Sequence, residues 1–290
     1  MQRAKVGGAA FVLIGALAGA TPGHAQATFG VDLDLFSSYV WRGLTLTNKP
    51  VAEPGLWLSF PAGNASITVG GWANIDLGTY DDINDDISES GGTSSFNLSE
   101  FDPYAEISFP AGKATLTGGV TGYIYPNDLD DAPNGGLDSE ANTVEVYGKL
   151  GFDVPLSPEL SVYYDVDKIK GAYIEANLSH SLAASEAVSI DLGAAAGFSA
   201  GQGVPDDLLS DESSNFADDG FTHLDLSAGV PFSAGAVSIT PVIHVVIAGD
   251  DFTKFTSPSN ESDTKLWGGV SLSWSNEVEE EEPEAPASPE

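Results

Sequence analysis

Carboxylates, phenols and a few cationic side chains recur at alternate positions along most of this chain. The set comprises Asp32, Asp34, Asp76, Glu106, Tyr123, Glu145, Tyr147, Lys149, Asp165, Tyr173, Glu175, Asp191, His223, Asp225 and His244, with Arg42 at the end of the first alternating run. On an extended backbone, residues two apart share a face, so each short run of this kind presents acids and phenols to one side. Lining an enclosed watery passage, such a face favours cations and small hydrogen-bonding solutes, because the charge along a pore biases what enters it. The plain alternative is a hydrogen-bonded network that fills an interior and holds its wall together.

Other chemistries fit less well. His223 and His244 flank a turn centred near residue 233, which predicts near cross-strand neighbours beside Asp225. Two imidazoles without a third fixed ligand make a weak transition-metal site, and no metal or other cofactor is expected. A barrel lipase needs a nucleophilic serine two residues from a histidine, and the chain has no His-x-Ser or Ser-x-His, so no enzyme is expected. The clusters Asp81-Asp82-Ile83-Asn84-Asp85-Asp86, Asp128 to Asp131 and Asp206-Asp207 lack the glycine and terminal Glu of a dedicated calcium loop. They read as a solvated acidic surface able to bridge neighbouring lipopolysaccharide through divalent ions. Arg42 has two readings: a structural pairing with Glu53 across the first hairpin, or a solute-contacting cation in an acidic passage.

The elements that must position these residues follow from the other half of the alternation. In Thr28 to Gly43 the odd positions Phe29, Val31, Leu33, Leu35, Tyr39 and Trp41 are apolar, while Asp32, Asp34, Ser38 and Arg42 occupy even ones. Similar runs lie near 29–42, 52–60, 65–77, 100–109, 114–125, 142–152, 160–167, 171–182, 187–198, 221–232, 236–247 and 264–274. Tight turns join them on one side. The unit Ser59-Phe60-Pro61-Ala62-Gly63-Asn64 recurs as Ser108-Phe109-Pro110-Ala111-Gly112-Lys113 and, more loosely, as Val230-Pro231-Phe232-Ser233-Ala234-Gly235. Phe60, Phe109, Phe152 and Phe232 precede such turns, which predicts an aromatic ring at one membrane interface. The other connections, 78–99, 126–141, 199–220 and 248–263, are long, acidic and rich in Gly, Asn and Ser. Short turns on one side and long loops on the other are the asymmetry of outer-membrane barrels.

Composition narrows the compartment. Arg3 and Lys5 precede an apolar run from Val6 to Ala20 and a small-residue cleavage region, so residues 1–27 read as a secretory signal peptide. No later stretch holds the roughly 18 to 20 apolar residues of a spanning helix, so any span must be built of strands. The chain has no cysteine, which excludes a disulfide framework and thiolate chemistry. Its formal charge of −33, with 43 acids against ten bases, makes nucleic acid a poor partner and cations the natural counter-ions. The last run closes on Trp274, the kind of ending that barrel assembly machinery recognises. Residues 276–290 are a Glu, Pro and Ala tail unable to bury apolar surface and read as a disordered periplasmic segment.

The stretch from Ser37 to Leu56 contains Ser38, Tyr39, Trp41, Arg42, Gly43, Pro50, Glu53 and Gly55. It resembles the opening motif of the TorF-type putative porin family, in which a strand ending in Ser-(Asp)-Tyr-x-(aromatic)-Arg-Gly leads into Pro-x-x-(Gln)-x-Gly. Ser38 stands where that family often has Asp, and Glu53 where it often has Gln. The resemblance implies an outer-membrane barrel.

Together these readings predict an all-β chain: a closed antiparallel transmembrane β-barrel of about twelve strands over residues 28–275, in the outer membrane of a Gram-negative bacterium. The expected role is a porin-like channel passing small solutes or cations passively through a narrow acidic lumen, with outer-membrane lipid and lipopolysaccharide as its surroundings. The alternatives are a non-conducting structural or surface-interaction barrel plugged by its own side chains, and a secreted soluble β-protein with a ligand cavity.

Overall fold

A computed structural model describes residues 27–78, 96–126, 142–185, 188–202, 219–249 and 264–276. Residues 1–26 of the expected signal peptide, the tail from residue 277, the three aspartate clusters and most of each long acidic loop lie outside the described residues.

The strands are β1 (Thr28–Phe36), β2 (Tyr39–Trp41), β3 (Leu44–Thr47), β4 (Val51–Ala62), β5 (Ala65–Asp76), β6 (Asn97–Ala111), β7 (Ala114–Tyr123), β8 (Thr143–Phe152), β9 (Glu159–Asp165), β10 (Ala172–Ser185), β11 (Val188–Ala200), β12 (Gly220–Gly229), β13 (Phe232–Ala234), β14 (Val237–Ala248) and β15 (Thr264–Ser275). Every pairing among them is antiparallel. From β4 through β12 each wall strand joins the next in sequence, β12 joins β14, β14 joins β15, and β15 returns to β1. Leu33 on β1 sits opposite Pro54 of β4 on one side and Leu272 of β15 on the other, which closes the sheet. The chain is a closed twelve-stranded antiparallel barrel, with β13 continuing the line of β12 past Val230-Pro231 and pairing with the start of β14.

The side-chain alternation sorts as physics requires for such a wall. Asp34, Glu53, Asp76, Glu106, Glu145 and Asp165 occupy ladder positions that register places on the inner face. Leu56, Ile243 and Leu266 lie on the outer face, with 63%, 59% and 69% of their surface exposed. That much exposed hydrocarbon on a long continuous sheet suits lipid and not water. Leu33, Val69, Ile107, Val144 and Ile190 share this outer face, spread around the cylinder with no common core.

The tight turns follow from local sequence. Ala62 pairs with Ala65 and Ala111 with Ala114, leaving Gly63-Asn64 and Gly112-Lys113 as two-residue loops. Gly63 (φ +71°) and Gly112 (φ +66°) supply the positive φ at the first loop position that the hairpin twist demands. Phe109, Phe152 and Phe232 lie exposed on the outer face beside these turns, and Phe60 shares that face. They form a girdle at the short-turn end.

One expectation about the elements is corrected. The first alternating run does not continue to residue 42 as a wall strand. β1 ends at Phe36, Ser37 and Ser38 bend the chain, and β2 and β3 pair as a separate two-stranded sheet before β4 re-enters the wall at Val51. Ser38, Tyr39, Leu44, Thr45 and Thr47 of this excursion are all buried. Tyr39 and Trp41, expected on the outer face, therefore lie inside the barrel.

Inner-face glycines accept the rings of neighbouring strands. A Cβ on Gly119 would sit 2.3 Å from Cζ of Tyr147, whereas one on Gly118, on the outer face, meets nothing nearer than 3.9 Å. Gly119→Val is expected to cost about 1–3 kcal/mol by overpacking, and Gly118→Val to be neutral, measured by equilibrium unfolding in detergent micelles. Equal losses at both positions would contradict the assignment of faces.

Candidate functional site

The inward excursion crosses the barrel at the end where the long connections lie, and its tip is Arg42-Gly43. Both have positive φ, +49° and +84°. Glycine adopts this region freely and arginine rarely does, so contacts elsewhere must hold the tip in shape. Gly43 is pressed against the wall: a Cβ there would lie 2.5 Å from Cβ of His223.

Arg42 reaches across the lumen to β8. Its Nη1 donates to Oε1 of Glu145 at 2.8 Å and its Nη2 to Oε2 at 2.7 Å, a two-pronged pairing with side-chain exposures of 7% and 3%. The Tyr123 hydroxyl donates a third bond to Oε2 of Glu145 at 2.7 Å. Three aromatic rings surround the guanidinium: its central carbon is 4.3 Å from the Trp41 ring centroid, 4.7 Å from Tyr163 and 4.3 Å from Tyr173. Burial, the largest single influence, opposes a charged guanidinium, yet the Glu145 bonds and the charges of Glu145, Tyr123 and Tyr173 together outweigh it, and Arg42 holds its proton more tightly than an ordinary arginine. The expected pairing with Glu53 does not form. Because the chain leaves the wall at Ser37, Arg42 is carried away from β4, where Glu53 sits opposite Asp34.

The rest of the excursion is anchored at several points around the wall. Tyr39 packs against Trp72 at 5.3 Å between centroids and Trp41 against Tyr123 at 5.9 Å. Burial pushes the Tyr39 phenol well above its usual range, and the nearby charges of Glu100 and Asp102 add to this. Thr47 donates to Oδ1 of Asp76 at 3.0 Å, and Asn74 bonds both Asp76 and Ser99. Lys265 of β15 donates to Asn48.

Around this plug the inner-face residues divide by what they touch. Asp165 bonds Thr143 at 2.6 Å and accepts the backbone N–H groups of Asp167 and Ile169, so it fastens the β9–β10 turn. Tyr147 donates to Glu106 at 2.9 Å, Tyr173 to Glu175 at 2.6 Å and Asn177 to Glu175 at 2.8 Å. Tyr147, Tyr163 and Tyr173 step across β8, β9 and β10 with centroids 5.5 and 6.0 Å apart. Lys149 lies 4.9 Å from the Tyr147 ring. Asp32 and Asp191 are on the same face nearer the short-turn end, where a cavity of about 560 Å³ is lined by Asp32, Trp57, Ser238, Ser273 and Ser275, whereas Asp34 sits opposite Glu53 near the excursion.

The two histidines are not brought together. His223 pairs with Ala248 and His244 with Ser227. His223 stacks on Tyr173, while His244 stacks on Trp267 at 4.1 Å and bonds Asp225 at 3.0 Å. Among the described residues no group of three or more His, Cys, Asp or Glu side chains is arranged to hold a metal ion.

Phe36, Thr47, Asn48, Glu100, Asp102 and Trp267 are inner residues that the alternation did not single out. The signal for the excursion was limited to Ser37, a polar residue at an apolar position, and to the glycine that follows Arg42.

A family model matches residues 19–211, and the chain belongs to that family, described as bacterial protein of unknown function (Gcw_chp). No curated protein sequence matches the chain. Among solved structures, an outer membrane channel from Pseudomonas putida is similar at 12% identity, covering 88% of this chain and 97% of that one, with a TM-score of 0.47. The outer membrane channel DcaP of Acinetobacter baumannii is similar at 10% identity over 87% and 96% of the two chains, with a TM-score of 0.37. The translocator domain of the autotransporter NalP from Neisseria meningitidis reaches 9% identity, 91% and 92% coverage and a TM-score of 0.34. The barrel itself is defined by this chain's own strand pairing, and the likeness to TorF-type porins stays with the motif around Arg42.

Removing one partner of a buried ion pair leaves the other charged and unsolvated. Arg42→Met is expected to destabilise the barrel by about 3–5 kcal/mol, and adding Glu145→Gln should restore part of that loss. Urea titration in micelles reads both, and a single variant as stable as the parent would contradict the pairing.

Proposed function

We propose that this chain is a porin-like channel of a Gram-negative outer membrane, passing small solutes or cations passively along an acidic lumen that β2 and β3 narrow at one end. The observation that carries this reading is the inner face itself. Carboxylates and phenols continue from Asp76, Glu145 and Tyr173 beside the plug to Asp32 and the cavity near the short turns, inside a wall whose outer side is apolar. Such a lumen attracts cations by its summed charge.

The surroundings follow from the same wall. The outer belt suits outer-membrane lipid and lipopolysaccharide, and β15, ending in outward Leu272 and Trp274, is suited to recognition by barrel assembly machinery. The hydroxyls of Thr47, Tyr123, Tyr147 and Tyr173 bond carboxylates, and both imidazoles bond wall residues, which favours transport over catalysis. A second reading, a non-conducting barrel, is favoured by the burial of the plug, since Leu44 and Thr47 are 2% and 0% exposed.

Planar-bilayer recording separates the two. The parent protein is expected to give small steps with a reversal potential favouring cations, and replacing residues 38–49 with a short Gly-Ser linker should enlarge each step. Silence in both proteins, or a preference for anions, would contradict the channel.

A further inference from the structure

The box that holds Arg42 has a composition that selects one kind of ligand. A carboxylate with both oxygens aligned to two parallel N–H groups is matched to a planar fork and not to a point-charge ammonium. Three aromatic rings at 4.3–4.7 Å complete the box with faces suited to a delocalised cation. Most of this box belongs to the wall. Glu145 comes from β8, Tyr123 from β7, Tyr163 from β9 and Tyr173 from β10, and Trp41 alone belongs to the excursion. Its occupant stands on a backbone with φ +49°, a shape that arginine does not favour by itself.

We propose that this box is a binding site for planar organic cations of the guanidinium class, with Arg42 acting as a tethered ligand that a free guanidinium solute replaces. Glu106, Glu175 and Asp225, on the same inner face toward the short turns, concentrate such cations on the approach from that end. Replacement of Arg42 releases the tip of the excursion and widens the lumen for the ligand that displaced it. The consequence for transport rests on the channel reading above; the binding does not.

The test uses the detergent-solubilised Arg42→Ala barrel titrated with methylguanidinium and, separately, methylammonium, each as the chloride at millimolar concentration. Tryptophan fluorescence and thermal unfolding are recorded in parallel. Methylguanidinium is expected to bind saturably and raise Tm, at least about tenfold more tightly than methylammonium, because only the former makes the paired bonds to a carboxylate. Adding Glu145→Gln should abolish the difference. If Arg42→Ala fails to fold, the barrel with residues 38–49 replaced by the linker serves instead, since it keeps Glu145, Tyr123, Tyr163 and Tyr173. Equal responses to the two cations, or a methylguanidinium response that survives Glu145→Gln, would overturn the site. Selective binding with silent bilayers upholds the site and sinks the channel reading; cation currents without selective binding do the reverse.

Discussion

Every backbone N–H and C=O that meets hydrocarbon must find a partner inside the protein, and the pairing of β1 with β15 meets that demand for this chain. An unclosed sheet of this length would leave two edges of polar groups in lipid, at several kcal/mol for each unsatisfied group. Closure fixes the rest. Once the first and last strands are joined in register from Gly30 and Ser275 to Phe36 and Gly269, the period of two commits every wall residue to one side. Leu56 and Ile243 then face outward of necessity, and Asp34 and Glu145 face inward.

A closed tube with polar residues inside has its own problem, since water or side chains must satisfy that interior. At one end the chain solves it with its own backbone. The β2–β3 excursion brings Arg42 to Glu145, whose two oxygens would otherwise be buried among aromatic rings without a cation. Tyrosines serve both sides of this arrangement: Tyr123 and Tyr173 present ring faces or edges to the plug while their hydroxyls bond Glu145 and Glu175. At the other end, serines and Asp32 border an open cavity instead. The barrel is thus asymmetric along its axis, packed near the long connections and open near the short turns.

The wall was legible in the sequence because alternation is a local property. Asp34 and Leu33 differ in type for the same reason they differ in face, and the Pro-Ala-Gly turns at Gly63 and Gly112 mark strand ends by their φ requirement. The excursion was not legible to that method. Ser38, Tyr39 and Trp41 keep the alternation of a wall strand although they have left the wall, and periodicity says nothing about which surface an alternating segment packs against. The partner of Arg42 lies 103 residues away, so the choice between Glu53 and Glu145 depended on a bend at Ser37 and Ser38 that only the three-dimensional course reveals. The histidines failed likewise. The ladder runs in one register about a turn between Gly235 and Ala236, not one near residue 233, and so sets His244 opposite Ser227.

Because the chain contains no cysteine, single cysteines can be introduced one at a time along β1 and read without background. With the protein reconstituted in vesicles, a small water-soluble thiol reagent should modify cysteines at positions 32 and 34, while those at 31, 33 and 35 react only with a lipid-soluble reagent. Uniform labelling by the water-soluble reagent, or the opposite alternation, would contradict an apolar exterior enclosing a hydrated acidic interior.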